Sequence, residues 1–145
     1  MQSWRFVAAA AVVGIVTIIA AGSGAQAPAH EGITLRAIMA EMGGEYLRII
    51  DGILRDDYDQ AAEAAATIAH HPMPEAVVGA VKGVLASDFA EFDRIDEAAH
   101  QAATAVHDAA VRRDGQAAGR AASALLSACV ECHSRFRTRL RPLSD

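Results

Sequence analysis

Apolar residues recur along this chain at steps of three and four, the spacing that lines up one face of an α-helix. Leu35, Met39, Met42, Tyr46, Ile49 and Ile53 form the first such stripe and predict a helix from about Ile33 to Leu54. Asp57, followed three residues later by Gln60, has the form of a capping box and opens an alanine-rich helix over Tyr58 to Ala69. His70-His71-Pro72-Met73-Pro74 closes it, because proline cannot continue a helix. The stretch from Glu75 to Ala86 contains Gly79 and Gly83 and reads as a connecting loop carrying a short helix. From Ser87 the rhythm returns at Phe92, Ile95, Ala99, Ala102, Val106 and Ala110, and ends at Asp114-Gly115, where glycine suits a position just past a helix end. Ala122, Leu125, Cys129, Cys132, Phe136 and Leu140 mark a last helix that stops near Pro142.

Four such segments of about 15 to 25 residues, at 1.5 Å per residue, are rods of roughly 20 to 40 Å. The expected fold is therefore all-α, a four-helix bundle running up-down-up-down. The many alanines of the last two long helices either let helices approach closely or leave room for something else in the core, and the second is the expectation. Aromatic residues make up only 5% of the chain, which with the alanine content disfavours a sandwich or barrel.

Ahead of the first helix, Met1 to Arg5 is followed by sixteen apolar or small residues, Phe6 to Ala21, and a small-residue stretch from Gly22 to Ala27. This is the layout of a secretory signal peptide. It is expected to span residues 1–25, with Ala27 as the other cleavage point, leaving a single domain over residues 26–145. The apolar run is shorter than the roughly 20 residues that cross a bilayer core. The expected destination is the periplasm, with no membrane attachment once the leader is removed.

The chain has 145 residues, 52% of them hydrophobic, and a formal net charge of −5. That composition excludes a disordered chain and argues against nucleic acid as a partner. Its two cysteines stand close together, so their meaning lies in local spacing. They occur in Cys129-Val130-Glu131-Cys132-His133. On a helix, positions i, i+3 and i+4 share a face. Two thiols so placed can add to the two vinyl groups of a haem, and the adjoining histidine is placed to bind the iron. A thioredoxin-like pair would want a βαβ pattern, and a structural zinc site would want four ligands at suitable spacing; neither is visible.

With a leader, four helices and a CxxCH near the C-terminus followed by Phe136-Arg137, the chain resembles the cytochrome c′ family, the class II c-type cytochromes. The resemblance covers nearly all of the chain after the leader. It implies one covalent haem c held by Cys129 and Cys132, with His133 as proximal iron ligand. Aligned on Gly43, it implies Met39 as the residue facing the other side of the iron. It also implies pocket or propionate contacts from Arg137 and Arg36, although Arg36 stands three residues before Met39 where the family has its arginine four before.

What such a protein does depends on the sixth iron position. With Met39 bound, the centre is low-spin and suits a soluble electron carrier exchanging single electrons with redox partner proteins. With Met39 only packed nearby, the site is open to NO or CO. The carrier is the expected function, the gas-binding protein the alternative, and an enzyme is not expected, since no distal His–Arg pair is evident. A homodimer is the usual state of relatives, but the exposed faces show no clear seam.

Other residues carry plainer readings. Met42 and Met73 are read as core and loop contacts. His100 and His107 are read as helix-boundary residues, and His70 and His71 as solvent-facing helix ends able to bind adventitious metal. Arg135, Arg137, Arg139 and Arg141 give the last helix a cationic end, favourable against its dipole and a candidate positive edge for meeting a partner.

Overall fold

A computed structural model describes residues 34–143, and the expected leader lies outside them. Among the described residues the only regular structure is helical: α1 (Leu35–Leu54), α2 (Tyr58–Ala69), α3 (Glu75–Leu85), α4 (Phe89–Val111) and α5 (Gly115–Leu140), with 3-10 turns at Ala86–Asp88 and Arg141–Leu143. None of these helices is long and apolar enough to cross a membrane.

Two of the connections use the same device. At the end of α1, Asp57 N donates to Gly52 O (2.8 Å) and Asp56 N to Ile53 O (3.4 Å), with Asp56 at φ 58. At the end of α4, Asp114 N donates to Ala109 O (3.0 Å) and Arg113 N to Ala110 O (2.8 Å), with Arg113 at φ 55. Both are Schellman closures, in which a left-handed residue folds the chain back onto its last free carbonyls. In each, the aspartate that completes the closure caps the next helix: Asp57 accepts from Gln60 N at 3.1 Å and Asp114 Oδ1 from Ala117 N at 2.9 Å. These short turns lay α2 antiparallel to α1 and α5 antiparallel to α4. The expected capping box is half formed, because the Gln60 amide donates to Arg48 O and Asp51 Oδ2 (3.0 Å each) instead of reaching back to its own cap.

Gly115 does not take the left-handed position; Arg113 does. Gly115 is the first residue of α5, and a side chain there would stand 2.6 Å from the Tyr58 hydroxyl. Close packing between the two turns, not backbone conformation, accounts for that glycine.

The short helix expected within the connection from Glu75 to Ala86 is present and takes up nearly all of it, as 11 residues from Glu75 to Leu85. Val81 and Leu85 are fully buried on one side of it. Gly79 and Gly83 have nothing near their Cβ positions and lie on the exposed side. Burial of the valine and leucine face outweighs the roughly 1 kcal/mol that each interior glycine costs a helix.

Among the described residues α1, α2, α4 and α5 pack against one another as a helical bundle, and α3 is added at one end. The core has two parts. One joins Ile49, Ala64, Ala65, Ile68, Ala103, Val106, Ala122 and Leu125. The other joins Leu35, Val81, Leu85, Phe92, Ile95, Phe136 and Leu140. The first is made largely of small side chains. Alanines of α4 and α5, among them Ala99, Ala103, Ala122 and Ala128, are buried in that half. Separately, α1 and α2 approach closely at Gly52, where a Cβ would lie 2.9 Å from Ala61 N. The second half is aromatic and aliphatic, with Phe92 edge-on to Phe136 at 5.8 Å.

Candidate functional site

The CxxCH segment lies in the C-terminal half of α5 as a regular helix, and its residues divide between two environments. Cys129 is half-buried against the alanine-rich cluster, near Tyr46, and Met42 packs against the same cluster. Cys132 is half-buried against the aromatic cluster, as is Met39 from α1. The two thiols therefore sit at the level where one core gives way to the other. Both are free in the described chain.

Burial disfavours their charged forms. It pushes the Cys129 thiol above its ordinary range. Cys132 is pushed up to about 11, first by burial and then by the negative charge of Asp96. The phenol of Tyr46 is raised for the same first reason, with Cys129 adding to it, and its hydroxyl donates to Ala122 O at 3.2 Å, tying α1 to α5 one level above the cysteines.

His133 is exposed. Glu131 and Arg135, each two residues from it and so roughly 160° round the helix, turn toward α4. Arg135 reaches Glu91 at 2.8 Å and Glu131 reaches Arg94 at 3.2 Å. His133 thus faces away from α4, on a flank that also carries Leu126 (46% exposed) and Val130 (58% exposed).

Arg137 continues that flank one turn on. It is exposed and makes no ion pair among the described residues. Arg36 is exposed on α1, next to Leu35 of the cluster that holds Met39. The structure thus brings Cys129, Cys132 and Met39 toward one level of the core and leaves Arg36 outside it.

Half of the expected cationic end of α5 is taken up internally. Arg135 bridges Glu91 and Glu131, and Arg139 binds Asp88 at 2.6 Å while donating to Leu85 O at 3.2 Å. That second contact caps the carbonyl end of α3. Two of the four arginines therefore hold helix ends together and do not present a free positive edge.

One group was not visible in the sequence. His71, expected to face solvent, is half-buried and meets His100 of α4 edge-on, with ring centroids 4.8 Å apart. Asp96, one turn before His100, completes the cluster. Burial raises the Asp96 carboxyl above its usual range, against the opposing pull of His100 and then His71. The Asp96–His100 spacing of four was legible as one helix face. Its meeting with His71 depends on how α2 crosses α4, which no local signal carries. His70 is exposed as expected, and His107 lies near the end of α4 beside Asp108 at 3.2 Å.

No family model matches the chain, and no curated protein or solved structure matches it.

Proposed function

We propose that the protein is an exported c-type cytochrome, a periplasmic carrier of single electrons with one haem held covalently by Cys129 and Cys132. The observation that carries this reading is the placing of the CxxCH segment: two unpaired thiols on the inward side of α5, at the division between the two core clusters, with a histidine on the neighbouring flank. The donor set suits the group. The thiols are one turn apart, the imidazole of His133 is open on an apolar flank formed by Leu126 and Val130, and the Met39 thioether packs against the same cluster as Cys132.

Bound there, haem supplies a reversible one-electron centre. The chain's own residues do the rest. Cys129 and Cys132 would hold the group along α5, and His133 would supply an imidazole to its iron. Apolar side chains of the second cluster keep water from one side. Met39, held by packing instead of by polar contacts, would offer its thioether as a further iron ligand, which would favour the reduced state. Arg137, one turn beyond His133, is positioned to neutralise a carboxylate at the exposed edge.

The test is to mature the protein in a host that assembles c-type cytochromes. Mass spectrometry is expected to show the chain, without its leader, heavier by one haem; bare polypeptide would end this reading. Optical and resonance Raman spectra of the wild type and of Met39→Ala then decide the axial ligand. A low-spin spectrum that becomes high-spin in the variant is expected. High-spin spectra in both, with CO uptake by the reduced wild type, would replace the carrier with the NO- or CO-binding alternative.

A further inference from the structure

We propose that His71, Asp96 and His100 form a binding site for a divalent transition metal of the zinc class, separate from the CxxCH segment. The inference does not rest on haem attachment. The ligand-competent atoms of the three residues lie within 4.8 Å of one another. Neighbouring ligands of a tetrahedral zinc ion with bonds near 2.0–2.1 Å stand roughly 3.3 Å apart, so modest side-chain rotation closes the set. His100 Nε2 and Asp96 Oδ2 are already 3.8 Å apart.

The hydrogen bonding of His71 selects the ligating atom. Its Nδ1 lies 3.0 Å from Ile68 O, a carbonyl that can only accept, so the ring proton sits on Nδ1 and the lone pair on Nε2. That is the arrangement of a metal-bound histidine, with the second ring nitrogen tied to a backbone carbonyl. Nε2 of His71 and Nε2 of His100 are both shielded from solvent and have no hydrogen-bond partner. Buried polar atoms normally have one, and two such imidazole nitrogens beside a carboxylate are accounted for by a shared cation.

Two imidazoles and one carboxylate suit Zn²⁺, and Co²⁺ or Ni²⁺ in the same class, better than Mg²⁺ or Ca²⁺, which favour all-oxygen shells. The side chains of His100 and Asp96 are 29% and 27% exposed, which leaves a route for the ion and a position for water as fourth ligand. The ion would join the end of α2 to the middle of α4.

Calorimetric titration of the full protein with zinc chloride tests this. One Zn²⁺ per chain is expected, weakened at least about tenfold by Asp96→Asn and by a larger factor in His71→Ala and His100→Ala, with His70→Ala unchanged. Zinc-edge X-ray absorption on the wild type decides the matter even where a histidine variant fails to fold, and it is blind to iron. A shell of nitrogen and oxygen with the scattering of two imidazoles is expected. Sulfur in the shell would assign the ion to Cys129 and Cys132 and overturn the proposal, as would no zinc binding or equal binding by folded His71→Ala.

Discussion

Replacing Gly52 by alanine tests how α1 is seated. A Cβ at this position would stand 2.8 Å from Asp57 O, 2.9 Å from Ala61 N and 3.1 Å from Ala61 Cβ. The first two are backbone atoms already committed, since Ala61 N donates to Asp57 O at 3.1 Å and Asp57 N donates to Gly52 O at 2.8 Å. No side-chain rotation relieves the overlap, so α1 and α2 must separate. Overpacking of this kind costs about 1–3 kcal/mol. Removing a helix-interior glycine returns up to about 1 kcal/mol, and Gly44→Ala is the control for that gain, because Gly44 lies in the same helix with nothing within 4 Å of its Cβ position. Gly44→Ala is therefore expected to raise stability and Gly52→Ala to lower it. The gap of about 1–3 kcal/mol corresponds to roughly 5–15 °C between their melting midpoints for a domain of this size. Thermal melts followed by circular dichroism measure it. Two variants with the same midpoint, or Gly52→Ala above the wild type, would refute the close approach. Met39 lies thirteen residues up the same helix, roughly 20 Å away, so a tilt pivoting at Gly52 is carried to the proposed ligand.

Four further outcomes are expected. In protein made without haem, alkylation of Cys132 should be slow at pH 8 and rise about tenfold per unit through pH 10, since its thiol is pushed up to about 11; levelling near pH 9 would contradict this. The same shift makes that unhaemed protein lose stability from the ordinary thiol range near pH 8.5 up to about 11, because above pH 8.5 the unfolded chain releases a proton that the folded chain keeps. With the group's partial exposure discounted, the loss is about 1 kcal/mol, readable from urea melts at pH 8 and pH 10.5. Ala86→Gly should stabilise the protein by about 1 kcal/mol, since Ala86 holds φ 49 between α3 and the turn before α4, and an unchanged urea midpoint would show that the strain is absent. Arg139→Ala should lower stability by about 1 kcal/mol through loss of its contacts to Asp88 and the α3 carbonyls, with little dependence on salt for the carbonyl part.

The helices were legible wherever one face is apolar and a cap is local. Tyr58 to Ala69 follows from Asp57 in front and Pro72 behind, and the stripes of α1, α4 and α5 name most of the buried residues, including Ile49, Ile95, Val106, Leu125 and Phe136. Over Glu75 to Leu85 a short helix is legible but its full length is not, because an interior glycine has the look of a breaker. On an exposed helix face it is only a cost, and a buried valine face overrides it. Gly115 misled for the converse reason: the left-handed turn it seemed to signal is made by Arg113, and the glycine answers to Tyr58, which is remote in sequence. At the site, the spacing of Cys129, Cys132 and His133 is local and was readable. The pairing of His71 with His100, and the capture of Arg135 and Arg139 by acids of other elements, depend on which helices become neighbours and were not.

The division of the core bears on how the proposed cofactor and the fold depend on each other. The alanine-rich half is closed by the chain itself, since Ala61, Ala64, Ala65, Ala103 and Ala118 are fully buried and the helices there meet at small residues. That half has no need of haem. The other half is built from larger side chains of α1, α3, α4 and α5, and it includes Met39 and Cys132 at its edge. A group tethered at Cys129 and Cys132 reaches the division between them, so its loss should loosen the aromatic half and leave the alanine half folded. The alternative is that the whole bundle loosens when haem is absent. Hydrogen exchange on Cys129→Ala, Cys132→Ala protein resolves the two: protection kept in α2 and the C-terminal part of α4, with protection lost in α3 and the C-terminal part of α5, is the expected pattern. Uniform loss would mean that the alanine half does not stand by itself, and uniform retention would mean that the aromatic half is closed by its own side chains as well.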